Sequence, residues 1–465
     1  MMLKSRENTN NAIGLITSLL AIPCIAFAFP PHDIRILAII GFALLCASSM
    51  LLNKSLYAMG LGLCVGLAVG LMLVGLHAGS DAYANLLGIF GGVGLVFGGT
   101  GWLISWSYKR LNPMVCWIMI PCLAVAVEYA SLFVFPVTLA LTQHTSAAAM
   151  ILVAPVTGAW GITWLMWFGA SSIALAAVGK AIRLVIVGLV IIFGNLAVGQ
   201  VSNFDSDGVN VASVQAPDPY TAADEMAKLS NHTQFVVWPE QMNAEDDKIG
   251  SVTAAKYKKY IAASFEVRAS KGKPYNTARL YGPDGSLLLE TRKEHRFGRE
   301  VLIYQKGNCR GPVDVGNGVR IAVPICYDLV YPDVARKLVN AGATLLLVPN
   351  SDPDSPGFAF HYIHLAIVSL RAAENSVPIA WTEINGLATI FTSEGAIVAR
   401  GPKGGVAHVE GLVSPSRIRT PYTQYGDWFA MLCIIPTLVF LILGLLCRKA
   451  SGSDISSEIS SLKPE

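Results

Sequence analysis

The sequence predicts a polytopic α-helical membrane bundle of about eight spans carrying one α/β sandwich domain. Three observations carry that reading. Of 465 residues, 53% are hydrophobic and only 14% are charged, where a soluble protein has about a quarter charged. The deficit is uneven: residues 1–200 are apolar runs almost free of carboxylates, whereas 203–425 have ordinary soluble composition. Within 203–425, strand-length apolar segments alternate with helical ones and end on polar residues. A wholly soluble globule is excluded. A net charge of +3 with no dense basic stripe argues against a nucleic-acid partner.

A bilayer crossing needs about 20 apolar residues. Seven candidates precede the soluble part, at 11–29, 35–52, 56–78, 84–107, 114–142, 159–179 and 184–200, and an eighth covers 428–446. The fifth is long enough to tilt or break, with Pro136 ending it. The stretch 143–158 contains Pro155 and Gly158 and reads as a re-entrant or interfacial loop. The expected domains are 1–202 for seven transmembrane helices, 203–426 for the soluble domain, 427–447 for the last span and 448–465 for a polar tail.

Basic residues set orientation. Lys4, Arg6, Lys54, Lys109, Arg110, Lys180, Arg183, Arg448 and Lys449 lie at the N-terminus or on even-numbered exits, against Arg35 on the odd ones. Both termini are then cytoplasmic and the soluble domain lies outside, although Arg417 and Arg419 run against the pattern. A cleaved signal peptide is the alternative for span 1, and the charge alternation of later loops favours its retention. Glu128 sits mid-span, where a carboxylate is costly; a functional group and a protonated, helix-facing Glu are both open. Glycine runs in 60–101 read as close helix packing, since they lack the Lys and Ser/Thr of a phosphate loop.

The nine cysteines include two in the soluble domain, Cys309 and Cys326. A disulfide between them is allowed in an oxidising compartment. No Cys/His spacing suits a metal, and no cofactor is called for.

In the soluble part, VNVASVQAP reads as a strand and TAADEMAKLS as a helix. FVVWPE follows as a buried strand ending on Glu240. Strands near 261–268, 276–281 and 286–292 follow, the last two joined by Gly282-Pro283-Asp284-Gly285, a hairpin signal. VRIAVPICYDL is a buried strand ending on Cys326, DVARKLVNAG a helix closed by Gly342, and ATLLLVPNS a strand ending at Asn350. Residues 358–375 read as a helix, and VPIAWTEI and LATIFT as strands.

Three strand ends bring unlike groups. Cys326 is a candidate nucleophile, but a thiol of pKa about 8.5 needs a base or a cation near it at pH 7. Glu240 supplies a candidate base, and Lys293 a cation for a tetrahedral oxyanion. Taken singly, each has a bland reading: a small core hydrophobe, a loop carboxylate and a solvated strand end.

The residues around them resemble a known set. Trp238-Pro239-Glu240, Lys293 with His295, and Pro324-Ile325-Cys326-Tyr327-Asp328 resemble the nitrilase (carbon-nitrogen hydrolase) superfamily, with its Glu, Lys and Cys in that order. With the spans added, the chain resembles the apolipoprotein N-acyltransferase family end to end. Gly158 to Ile162, Tyr275-Asn276, Tyr331-Pro332 and Asn350 also match. So do His364, Arg371, Glu374, Asn385-Gly386, Thr420 to Tyr422 and Gly426 to Trp428. The resemblance implies a nitrilase-like domain on the periplasmic side of a bacterial inner membrane. It implies a monomer acting without cofactor or metal. It implies that Cys326 takes an acyl chain from a phospholipid as a thioester and passes it to the N-terminal Cys amine of a lipoprotein. Glu240 is then base and acid, Lys293 the oxyanion stabiliser, and the Tyr327 N–H a second donor.

The departures lie where substrates dock. The loop after Lys293 is shortened, which leaves open whether Glu300 is the second active-site carboxylate. Asp328 stands where the family has Glu. The segment Asn350 to Phe358 lacks the family's tryptophan lid. An apolar channel to Cys326 is expected from Phe297, Tyr327, Phe358, Phe360 and Trp381, each of which would serve equally as core. These departures keep open a plasmid conjugal-transfer relative of TraB type with a specialised acceptor, and an inactive envelope scaffold. A soluble-type amidase would leave the spans without a task.

Overall fold

The computed structural model describes residues 2–74, 82–132, 138–179, 208–240, 247–352, 358–384 and 386–442, with scattered positions between 183 and 194. The first part is helical: α1 (Met2–Ala28), α2 (Ile36–Leu51), α3 (Ser55–Val74), α4 (Ala82–Tyr108), α5 (Pro113–Ser131), the short α6 (Ala154–Thr157) and α7 (Ala159–Ala177). Among the described residues, four helices are long and apolar enough to cross a membrane: Ser5–Ala28, Ser55–Leu73, Pro113–Ser131 and Ala159–Ala177. Ile36–Leu51 and Trp428–Ile442 are shorter apolar helices.

Local chemistry sets these boundaries. The Asn112 side chain accepts from Val115 N–H at 3.0 Å and Pro113 follows, so α5 begins there. It ends at Ser131, earlier than the expected 142. The expected breaker, Pro136, lies outside the described residues. After it come a 3-10 turn, Leu139–Gln143, and a π-helical turn, Ala149–Val153, so 143–158 is irregular and is not a span. Most of the expected seventh span and the tail after 442 also lie outside the described residues.

The second part is a sandwich of two six-stranded sheets. The first contains β1 (Val209–Gln215), β2 (Phe235–Val237), β3 (Tyr260–Val267), β4 (Tyr275–Tyr281), β5 (Leu287–Arg292) and β12 (Ala407–Val413), ordered β12-β1-β2-β3-β4-β5. The second contains β6 (Val313–Asp314), β7 (Arg320–Ala322), β8 (Leu345–Val348), β9 (Ile379–Trp381), β10 (Thr389–Phe391) and β11 (Ile397–Arg400), ordered β11-β10-β9-β8-β7-β6. In each sheet the middle strands are parallel and the outer ones antiparallel. The sheets pack through Val211, Val237, Ala262, Ile321, Leu345 and Ala380. Helices cover the outer faces, as Ala222, Met226 and Ala254 on one side and Val334, Leu338, Val368 and Ala372 on the other show. Gly285 at φ 83° closes the β4–β5 hairpin, a conformation glycine adopts without steric cost.

Two strand expectations need correction. The segment ending on Cys326 pairs only over Arg320–Ala322, because Pro324 has no N–H and Cys326 opens a 3-10 turn at φ 47°. The strands β11 and β12 did not stand out, since their residues are mostly half-buried.

The helix Phe358–Asn375 joins the two parts. Val368 and Ala372 pack on the second sheet, while Ala366, Ile367, Leu370 and Ala373 belong to the core of the membrane bundle. The Glu374 carboxylate accepts from Ala159 N–H at 2.9 Å, satisfying a free donor at the start of α7. Asp427 accepts from Trp160 Nε1 at 2.8 Å and Tyr422 Oη at 3.0 Å, with Arg336 at 3.5 Å. Gly158 turns at φ 67° against the Tyr422 ring, and a Cβ there would fall 2.3 Å from a ring carbon.

Gly158→Ala therefore adds both a left-handed alanine and an overlap with a buried ring. A loss of about 1–3 kcal/mol is expected. Thermal unfolding of the detergent-solubilised protein, parent against variant, measures it.

Candidate active site

Both sheets contribute to one buried polar cluster. Glu240 follows β2, Asn276 lies on β4, Lys293 follows β5, and Cys326 follows β7. The Glu240 N–H donates to the Asn350 carbonyl at 3.3 Å, and the Cys326 N–H donates to the neighbouring Pro349 carbonyl at 2.9 Å. The end of β8 thus holds the other two strand tips side by side.

Lys293 is 2% exposed. Its Nζ donates to Glu240 Oε1 at 2.7 Å and to a Glu300 carboxylate oxygen at 2.9 Å. Asn276 Nδ2 also donates to Glu240 Oε1, at 2.6 Å. Glu240 Oε2 is buried with no hydrogen-bond partner among the described residues. Glu300, left open by the sequence, is thus brought to Lys293. It also accepts from the Phe297 N–H, at 2.8 Å.

Electrostatics follow from burial and pairing. Burial raises Glu240 above the usual carboxylate range; Lys293 pulls it down and Glu300 pushes it up. Burial alone would lower Lys293, but the charge Cys326 carries as a thiolate and those of Glu240 and Glu300 hold it well above its usual value, so it stays an ammonium. Burial and then the Glu240 charge raise the Cys326 thiol well above its ordinary value, while Lys293 opposes them. The resting thiol is protonated, beside a carboxylate with a free oxygen.

Asp328 ties the cysteine turn to the lysine loop. Its Oδ1 accepts from Glu294 N–H at 2.9 Å and His295 N–H at 2.7 Å, and its Oδ2 from Ile325 N–H at 3.0 Å. Burial pushes its carboxyl up to about 6, against the pull of those N–H groups. Cys309 and Cys326 are both free thiols.

Next to the cluster is an apolar cavity, lined almost entirely by carbon. Phe29, Leu73, Val93 and Val96 of the bundle form one wall, and Phe297, Tyr327 and Phe360 of the sandwich form the other. Glu128 also faces it, with Oε1 accepting from Leu139 N–H at 2.8 Å and Oε2 unpartnered among the described residues. Of the expected channel residues, Trp381 is instead core, fully buried among the residues of the second sheet's outer face. The Phe358 side chain and residues 353–357 lie outside the described set. The Asn350 side chain is fully buried, and neither of its polar atoms has a partner among the described residues.

Sequence reasoning missed two imidazole–carboxylate pairs beside this cavity. His364 Nδ1 lies 2.8 and 3.0 Å from the Asp352 oxygens, and His361 Nδ1 lies 2.6 Å from Glu383 Oε1. The signal was the His361-x-x-His364 spacing on one helix face. Asp352, His361 and Glu383 offer atoms within 4.8 Å of one another. The 2.6 Å contact is nevertheless a hydrogen bond, shorter than the roughly 3.3 Å between two zinc ligands at 2.0 Å from the ion.

The family described as carbon-nitrogen hydrolase matches residues 173–407. Apolipoprotein N-acyltransferase of Geobacter metallireducens is 25% identical over 491 residues, spanning 88% of this chain and 91% of that protein. Omega-amidase NIT2-A of Xenopus laevis is 27% identical over 187 residues, 36% of this chain and 66% of that protein. The crystal structure of the carbon-nitrogen hydrolase from Helicobacter pylori G27 aligns at a TM-score of 0.40 and 18% identity, over 44% of this chain and 89% of that one.

Thiol reactivity should depend on both partners. Glu240→Gln removes the candidate base for the Cys326 proton along with a charge that raises the thiol, so alkylation by iodoacetamide at neutral pH should slow. Lys293→Met removes the charge that lowers it, so alkylation should slow. Each unit of pKa changes the thiolate fraction about tenfold. Mass spectrometry of carbamidomethyl-Cys326 against time gives the order of the three rates.

Proposed function

The chain belongs to the carbon-nitrogen hydrolase family, and from that premise we propose that it is a membrane-bound acyltransferase. Its donor is a phospholipid, and its acceptor is the N-terminal Cys amine of a lipoprotein. The observation that carries the reading is the apolar cavity between the bundle and the residues that flank Lys293 and Cys326. A hydrolase of small soluble amides needs no such wall. The similarity of the chain to an apolipoprotein N-acyltransferase along 88% of its length supports the same reading.

The chemistry runs in two steps. Glu240 takes the Cys326 proton as the sulfur attacks the ester carbonyl. The C–O bond to the glycerol breaks, and Glu240 returns the proton to the leaving alkoxide. Lys293 and the Tyr327 N–H stabilise the tetrahedral oxyanion, and a thioester remains. An amine then attacks the thioester, the C–S bond breaks, and the thiol is restored. Glu300 and Asn276 hold Lys293 and Glu240 in place, Asp328 holds the loop, and Phe297 and Asn350 border the substrates. No cofactor enters.

The same reading has eight spans, with residues 203–426 as the catalytic domain on the periplasmic side of a bacterial inner membrane. The basic residues at the N-terminus and on even-numbered exits support that orientation. A second reading, hydrolysis of a small amide, is favoured by the similarity to an omega-amidase.

Incubating the protein with labelled phospholipid vesicles and weighing the Cys326 peptide separates the two readings. Acyl-Cys326 is expected in the parent and absent in Cys326→Ala. Glu240→Gln should slow its formation by about 10²–10⁴, the scale of a general base. Lys293→Met should cost about 10²–10³, the scale of an oxyanion donor. A parent that hydrolyses small amides and never carries an acyl chain overturns the transferase.

Orientation is tested separately. Reporters fused after Arg110, near Ser251 and after Lys449 should read cytoplasmic, periplasmic and cytoplasmic. A cytoplasmic signal at Ser251 overturns the arrangement.

A further inference from the structure

An N-terminal amine, of pKa about 7.7–8.0, arrives mostly as an ammonium near neutral pH. Turning it into an amide removes two protons. In the acyltransferase reading, on which this inference rests, Glu240 relays one of them to the departing sulfur. The other needs a second acceptor, and the mechanism so far supplies none.

His364 has the geometry of one. Its Nδ1 sits between the two Asp352 oxygens at 2.8 and 3.0 Å. A neutral imidazole that donates from Nδ1 to a carboxylate leaves a bare lone pair on Nε2. That Nε2 is buried without a partner among the described residues. His364 lines the same cavity as Phe297 and Tyr327, and its ring meets Trp381 edge-on at 4.5 Å, which fixes its plane. Tyr327, the residue that follows Cys326, lines that cavity with His364, so the imidazole and the cysteine turn border one space. A packing histidine needs neither the buried carboxylate nor the unsatisfied ring nitrogen.

We propose that His364, oriented by Asp352, takes the first proton from the acceptor's ammonium, as the base in a carboxylate–imidazole pair does. The balance is thioester plus ammonium plus neutral imidazole giving amide, Cys326 thiol and imidazolium. The C–N bond forms, the C–S bond breaks, one proton goes to sulfur and one to His364 Nε2. Asp352 stabilises the imidazolium until it releases its proton to solvent.

The other titratable groups around His364 are Glu128 across the cavity, the Glu240–Lys293–Cys326 cluster, and the His361–Glu383 pair beside Asp352. Burial and then the Asp352 charge push Glu383 up to about 8. These groups are common to parent and variant, so the ratio of the two rates isolates His364.

The test uses full-length protein in phospholipid vesicles with a labelled acyl chain and a synthetic diacylglyceryl-Cys lipopeptide. Thioester formation and transfer are followed separately from pH 6 to 9. His364→Gln should slow transfer about 10²-fold at pH 6.5, slow thioester formation far less, and accumulate acyl-Cys326. The transfer deficit should shrink above pH 8, where the amine arrives neutral. Asp352→Asn, which keeps the imidazole and loses its orienting charge, should show a smaller deficit with the same pH trend. Transfer by His364→Gln at the parent rate, or a deficit equal in both steps or constant with pH, overturns this role. A parent that forms no thioester overturns the acyltransferase reading, and this inference with it.

Discussion

The ammonium of Lys293 is the charge around which the sandwich closes. An isolated ion pays several kcal/mol to leave water, and truncating one partner of a buried pair commonly costs about 3–5 kcal/mol. Lys293 is buried between Glu240 and Glu300, which come from different segments. Asn276 adds a donor from a fourth. The ends of β2 and β5 and the 293–300 loop therefore meet at one cation, and β4 joins them through Glu240. Two carboxylates at this distance repel without it, and the thiol across from them loses the charge that steadies its anion. The same ion thus serves architecture and reactivity, and neither can be altered alone.

The cluster is also fixed relative to the bundle. The helix Phe358–Asn375 is apolar on both faces, one against β-strands and one against membrane helices. Glu374 then caps α7, and Asp427 gathers Trp160, Tyr422 and Arg336 at the entry to the last apolar helix. Buried polar contacts of this kind are directional, so they set register where apolar packing alone would allow sliding.

Much of this was legible because polar residues ending apolar strands are conspicuous. Glu240, Lys293, Cys326 and Asn350 each stood out that way, and the hairpin at 282–285 and the helix at 358–375 stood out by turn chemistry and period. The rest depended on contacts that no local pattern records. Glu300 reaches Lys293 because the loop folds back through the Phe297 N–H. Trp381 read as a channel wall and is core, since an aromatic beside a site and one beneath it have the same sequence. The strands β11 and β12 are mostly half-buried, so their two-residue period is weak. Asp352 and His364 lie 12 residues apart in the chain and meet only through the turn between β8 and the long helix.

Phe297 shows how the polar cluster and the apolar cavity constrain each other. Its N–H holds the Glu300 carboxylate, while its ring packs at 4.9 Å from Tyr327 and lines the cavity. Tyr327 in turn follows Cys326 directly, so its ring and the thiol move with one turn. Any shift of the cavity wall displaces a ligand of Lys293, and any change in the charge cluster displaces the wall. The apolar cavity and the charge at the cysteine are therefore linked through a single loop.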